Sequence, residues 1–99
     1  MGKLVRDRVP AIIRASGEEP TVRVLSPEEY LPALLEKLVE EALEAQEAGV
    51  EELLDELADV QEVIRAVLDA LDWDARTLEE AAARKAEARG AFAARLWLE

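Results

Sequence analysis

Residues 26–71 read "SPEEYLPALLEKLVEEALEAQEAGVEELLDELADVQEVIRAVLDAL". Two long stretches of helical periodicity meet there at one glycine, Gly49. Ser26, Pro27 and Glu29 supply an N-cap, a proline at the first helical position and the third-position carboxylate of a capping box. The first helix is expected to run to about Ala48, with a kink or an irregular first turn at Pro32. Gly49 is expected to cap its C-terminus. A second helix is expected from about Val50 to Leu71. Two long helices joined so tightly predict an antiparallel hairpin, and the fold class is an all-α helical bundle.

Angles at about 100° per residue sort the side chains. On the first helix Leu31, Leu34, Leu35, Ala42 and Ala45 cluster within about 60° of Leu38, the expected buried stripe. Glu41 lies about 60° from Leu38, beside Leu34, and Glu44 about 60° further round. Glu40 and Glu47 point away from the stripe. On the second helix Leu53, Val60, Ile64, Leu68 and Leu71 group around Leu57. Glu56 falls between Val63 and Val67, inside the apolar arc, with Asp59 and Glu52 just beyond. Asp55 and Glu62 face the far side, where solvent is expected. Glu41, Glu44, Glu56 and Asp59 thus border surfaces that require burial. A half-buried carboxylate needs a Lys or Arg, a proton or a metal ion. Lys37, one turn before Glu41, can supply part of that charge. Glu56 has no Lys or Arg within one turn on its own helix.

Outside the hairpin, Asp7 is expected to cap a short helix through Ile12, Ile13 and Ala15, ended by Gly17. Thr21–Leu25 ("TVRVL") alternates and is β-branched, which predicts one short strand, paired with Lys3–Arg6 or with the C-terminal "RLWLE". After the turn "DWDAR", the box "TLEE" at Thr77–Glu80 predicts a third long helix ending at Gly90.

The 99 residues predict a single domain, 1–99, with a small core for which oligomerisation is a common remedy. Twelve basic against 23 acidic residues give a net charge of -11, which argues against DNA, RNA and anionic membrane surfaces as partners. With no Cys and no His, thiolate nucleophiles, zinc fingers and Ser-His-Asp triads are excluded. Any metal is held by oxygen, hence a hard cation. With no signal peptide and no apolar run near 18 residues, the expectation is a cytoplasmic protein.

The spacing Glu41-Ala42-Leu43-Glu44, eleven residues, Glu56-Leu57-Ala58-Asp59 resembles the ExxE…ExxD signature of MazG-type all-α nucleotide pyrophosphohydrolases. The words "KLVEEALEA" and "LLDELADVQEVI" match as well. The opening "KLVRDRVPAII" and closing "RKAEARGAFAARL" resemble the phosphoribosyl-ATP pyrophosphohydrolase-like subfamily, and the likeness spans nearly the whole chain. The gap between the two acidic pairs is shorter than in many members. The resemblance implies a four-helix-bundle-like domain, assembled as a homodimer or homotetramer. It implies Mg²⁺-dependent hydrolysis of a nucleoside triphosphate, of house-cleaning type, between the α and β phosphates. Mn²⁺ is the alternative cation. Glu41, Glu44, Glu56 and Asp59 would hold the metal, and Glu40 and Glu41 are the candidates to activate water. Lys37, Lys85 and Arg89 are the candidates to bind substrate phosphate. Arg6 and Arg8 belong to the subfamily's N-terminal word but receive no role from it. Tyr30, Trp73, Phe92 and Trp97 are the aromatics able to stack on a base. The competing readings are phosphoribosyl-ATP hydrolysis in histidine biosynthesis and a non-catalytic helical interaction module.

Overall fold

The structure is a computed structural model and describes residues 2–99. Its elements are α1 (Val9–Ala15), α2 (Pro27–Glu47), α3 (Val50–Ala70) and α4 (Ala75–Arg89). The described residues contain no strand. Thr21–Leu25 lacks a partner segment in extended pairing, and Val24 stands 94% exposed, so alternation alone does not hold a ladder there.

Local chemistry explains the boundaries. The Ser26 hydroxyl accepts the Glu29 N–H at 3.3 Å, and the Glu29 carboxylate accepts the Ser26 N–H at 3.0 Å. The box is therefore complete. Arg23 adds a two-pronged ion pair to Glu29 at 3.1 and 3.2 Å. The Arg23 hydrogen bonds, then the Ser26 N–H, hold the Glu29 carboxyl down to about 2. The helix continues through Pro32, which removes one backbone donor near its start.

Three expected boundaries move. Gly49 has φ -72°, not a left-handed conformation, and serves as the N-cap of α3 while Ala48 ends α2. The Gly49 N–H donates to the Glu52 carboxylate at 3.2 Å. With only Ala48 and Gly49 between the helices, one glycine acts as a start signal. Asp74, three residues before Thr77, caps α4 by accepting the Arg76 N–H at 2.9 Å. The nearer Asx cap wins over the capping box. At α1 the N-cap is Arg8 without a side-chain bond, not Asp7, and Pro10 sits in the first turn. Gly17 (φ 96°) and Gly90 (φ 78°) lie past α1 and α4 in conformations that favour glycine.

Helices α2 and α3 pack along each other as an antiparallel hairpin, and this is the main helix–helix contact of the described residues. Leu34, Val63 and Leu68 form its buried apolar core. Both buried faces are rotated from their expected centres towards the carboxylates. Leu57, the expected centre on α3, is 50% exposed, whereas Glu41 is only 7% exposed. Leu35, Val39 and Leu43 on α2 and Leu54 on α3 are exposed as well. Each helix carries an apolar arc wider than one neighbour covers. The N-terminal segment crosses the carboxylate side of the hairpin and, with it, lines one cleft. Helix α4 buries no residue, and the tail leaves Phe92 and Trp97 at 95% and 86% exposure. The Cα radius of gyration is 17.0 Å, against about 13 Å for a compact chain of this length.

A candidate metal centre on the α2–α3 hairpin

The centre is built from two short helical words. On α2, Glu41 lies two turns from Leu34 and shares its buried side, so packing of Leu34 against α3 carries Glu41 into the interface. On α3, Glu56 and Asp59 are three residues apart and share the side of buried Val63. Carboxylate oxygens of Glu41, Glu56 and Asp59 lie within 4.8 Å of one another. A second group, Glu40, Glu41 and Glu44, meets the same limit. Glu41 belongs to both.

Cations compensate these charges unevenly. Lys37 Nζ donates to Glu40 Oε1 at 3.5 Å and forms an ion pair with Glu41 Oε1 at 3.2 Å. Burial pulls the Lys37 ammonium down, but the Glu41 hydrogen bond and the charges of Glu40 and Glu41 leave it raised overall, hence protonated. Glu40 stays 40% exposed at its side chain, in keeping with its helical angle. Its side chain reaches back one turn to Lys37. Arg6 Nη2 donates to Asp59 Oδ1 at 2.6 Å. Among the described residues neither Glu44 nor Glu56 has an ion-pair partner. The Glu44 carboxyl is raised above its ordinary range. Its hydrogen bond to Glu41 when protonated is the largest cause, followed by the Glu41 charge, desolvation, and the charges of Glu56 and Glu40.

One atom stands out. Glu41 Oε2 is buried and has no hydrogen-bond partner among the described residues. A buried acceptor left unmatched costs about 1–3 kcal/mol, and more when charged. The side chains grouped with Glu41 offer carboxylate oxygens as ligands, the chemistry that suits Mg²⁺, Mn²⁺ or Ca²⁺.

Beside the centre is a cleft of about 770 Å³. Lys3, Arg6 and Arg8 of the N-terminal segment line it, together with Lys37. Glu41, Asp59 and Glu62 line it too, and Glu62 is exposed to solvent as its helical angle predicts. Tyr30 is the aromatic residue in its lining; Trp73, Phe92 and Trp97 do not contribute. Of the expected site residues, the structure gathers Lys37, Glu40, Glu41, Glu44, Glu56 and Asp59. It leaves Lys85 and Arg89 exposed on α4, outside the cleft. Sequence reasoning missed the contact of Arg6 with Asp59, since 53 residues separate the pair and no periodicity spans that distance. The available signal was compositional: a basic opening segment on an acidic chain.

Among known proteins, no family model and no solved structure matches the chain. A relative from Mycolicibacterium smegmatis, described as an uncharacterized protein, is 54% identical over 48 residues. The match covers 48% of this chain and spans 49%, about half, of that relative's length.

Proposed function

We propose that the chain is a divalent-cation-dependent nucleotide pyrophosphohydrolase of the MazG type, which hydrolyses a nucleoside triphosphate to a monophosphate and pyrophosphate. The observation that carries the reading is Glu41, whose Oε2 is buried and unpartnered and whose carboxylate is grouped with those of Glu56 and Asp59. Glu41, Glu56 and Asp59 would hold Mg²⁺, with Glu44 on the adjoining group. A cation held there would supply charge against the polyphosphate and Lewis acidity towards a water. Without positive charge, a polyphosphate and this acidic wall repel each other. Lys37, protonated and anchored by Glu40 and Glu41, directs charge towards the cleft. Glu40 is the carboxylate placed to take a proton from water, because it sits at the edge of the group and binds Lys37 only at 3.5 Å. Tyr30 offers the cleft a ring for stacking on a base.

A second copy of this chain covers the bare flank of the hairpin, giving a homodimer or homotetramer. Three buried apolar side chains are a small core for two helices of 21 residues each. The strip of Leu35, Val39, Leu43, Leu54 and Leu57 supplies the missing apolar contact.

The test is release of pyrophosphate from a panel of NTPs, dNTPs and damaged nucleotides, with phosphoribosyl-ATP included, in the presence of Mg²⁺. The expected result is turnover that EDTA abolishes. Silence across the panel overturns the enzyme reading. A helical interaction module without turnover predicts, in addition, no thermal stabilisation by Mg²⁺.

A further inference from the structure

The acidic cluster carries two cations of different kinds. Lys37 is held on its own helix, one turn from Glu41, and the side chains are 17% and 9% exposed. It has nowhere else to go. Arg6 lies on the segment before α1, outside any helix, and reaches across 53 residues to Asp59. That pair is 58% and 38% exposed and rests on one nitrogen and one oxygen. An ion pair in such a setting contributes little and is easily exchanged. Yet Asp59 is grouped with Glu56 and with Glu41, one oxygen of which is buried without a partner. A cation drawn to Glu41 and Glu56 competes with Arg6 for the same carboxylate.

Where the guanidinium goes next follows from its surroundings. Lys3 and Arg8, on the same segment, line the cleft with it and outweigh Asp7 there, while Glu41, Asp59 and Glu62 outweigh Lys37 on the hairpin wall, so the first wall is net basic and the second net acidic. A guanidinium released from a carboxylate finds its best alternative in another planar pair of anionic oxygens, which a phosphate supplies. The basic residues of α4 do not line this cleft.

We propose that Arg6 is a displaceable counter-ion. It holds Asp59 while no divalent cation is bound, and it passes to the polyphosphate of the substrate when one binds. This rests on the reading of the cluster as a cation site. The N-terminal segment is then a wall of the binding cleft that responds to the metal, and Arg6 is a substrate-binding residue.

The proposal is tested on the full chain as wild type, Arg6→Gln and Arg6→Lys. Mn²⁺ affinity is measured first, without any phosphate, from the electron-paramagnetic-resonance signal of free Mn²⁺. Binding of inorganic tripolyphosphate at saturating Mn²⁺ is then measured by calorimetry. Far-UV circular dichroism checks that helix content is unchanged, as expected for a residue outside the helices. The expected result is a pair of opposite changes. Arg6→Gln tightens Mn²⁺ binding about three- to fivefold, because a competitor for Asp59 is gone. It weakens tripolyphosphate binding about tenfold or more, because a charge-assisted fork is lost. Arg6→Lys, which keeps the charge and loses the fork, falls between. A purely structural Arg6 does not move the two affinities in opposite directions. Mn²⁺ affinity that is unchanged or weaker in Arg6→Gln overturns the proposal. So does tripolyphosphate binding that is undiminished in Arg6→Gln or absent from the wild type, and either result leaves the cation site standing. A wild-type chain with no affinity for Mn²⁺ overturns the cation-site reading, and this one with it.

Discussion

The two flanks of the α2–α3 hairpin are built from the same kind of helix and end in opposite states. On one flank Glu41 is buried, Lys37 and Arg6 lie against the carboxylates, and the N-terminal segment forms the wall of a cleft. On the other, Leu35, Val39, Leu43, Leu54 and Leu57 stand exposed, with no covering element among the described residues. The hydrophobic effect alone would close the second flank first. The hairpin instead covers its charged edge, at an electrostatic cost that Lys37 and Arg6 offset only in part. The contrast separates two jobs. In the function proposed above, the charged flank, completed within the chain, takes a cation, and the apolar flank packs against a second copy.

The largest effect expected from breaking this division is at the apolar flank. Leu57→Glu places a charge where a second copy is proposed to pack. Burial of an uncompensated charge costs several kcal/mol, so the dissociation constant of the assembly should rise by about a hundredfold or more. Sedimentation velocity across a concentration series measures it. Helix content of the dissociated chain should persist where packing of Leu34 and Val63 sustains the hairpin. A wild-type chain that is monomeric at all concentrations removes the role assigned to this flank.

A smaller effect of a different sign is expected at the charged flank. Glu56→Gln removes a charge that lies near Glu41 and Asp59 and has no ion-pair partner. The metal-free protein should gain roughly a few tenths of a kcal/mol, the scale of a relieved like-charge pair. The stabilisation conferred by Mg²⁺ should shrink in the same variant. Thermal melts with and without Mg²⁺ read both. A less stable metal-free variant with an intact Mg²⁺ response would make Glu56 a structural carboxylate.

The smallest effect is at the start of α2, which feeds both flanks. The Glu29 carboxyl is lowered from 4.5 to about 2 by Arg23 and Ser26. Its folded value lies below its unfolded one. Its contribution is therefore fully present above about pH 4.5 and is lost as pH falls through about 2. A carboxyl-carbon NMR titration should place the Glu29 midpoint near 2 and lift it towards the ordinary range in Arg23→Gln.

Much of this was legible in the chain itself. The Ser26–Glu29 box and the periodicity of both helices placed α2 and α3 to within a residue or two, because caps and apolar spacing act locally. The angles singled out Glu41, Glu44, Glu56 and Asp59 for the same reason. Gly49 was readable as a helix boundary but not as a start rather than a stop, since that depends on its φ. Asp74 was overlooked as a cap because a stronger-looking box follows it. The strand at Thr21–Leu25 had the right local pattern and no partner, and pairing is a non-local event.

The sequence by itself determined that the molecule is helical, that two long helices form a hairpin, and that its carboxylates crowd one edge. These follow from interactions between residues a turn apart. Only the tertiary structure decided which half of each wide apolar arc faces the partner helix, so that Glu41 went inside and Leu57 stayed out. It alone brought Arg6 to Asp59. An apolar arc too wide for one neighbour leaves the local pattern with two solutions. The choice between them rests on contacts between segments far apart in the chain, which no local pattern encodes.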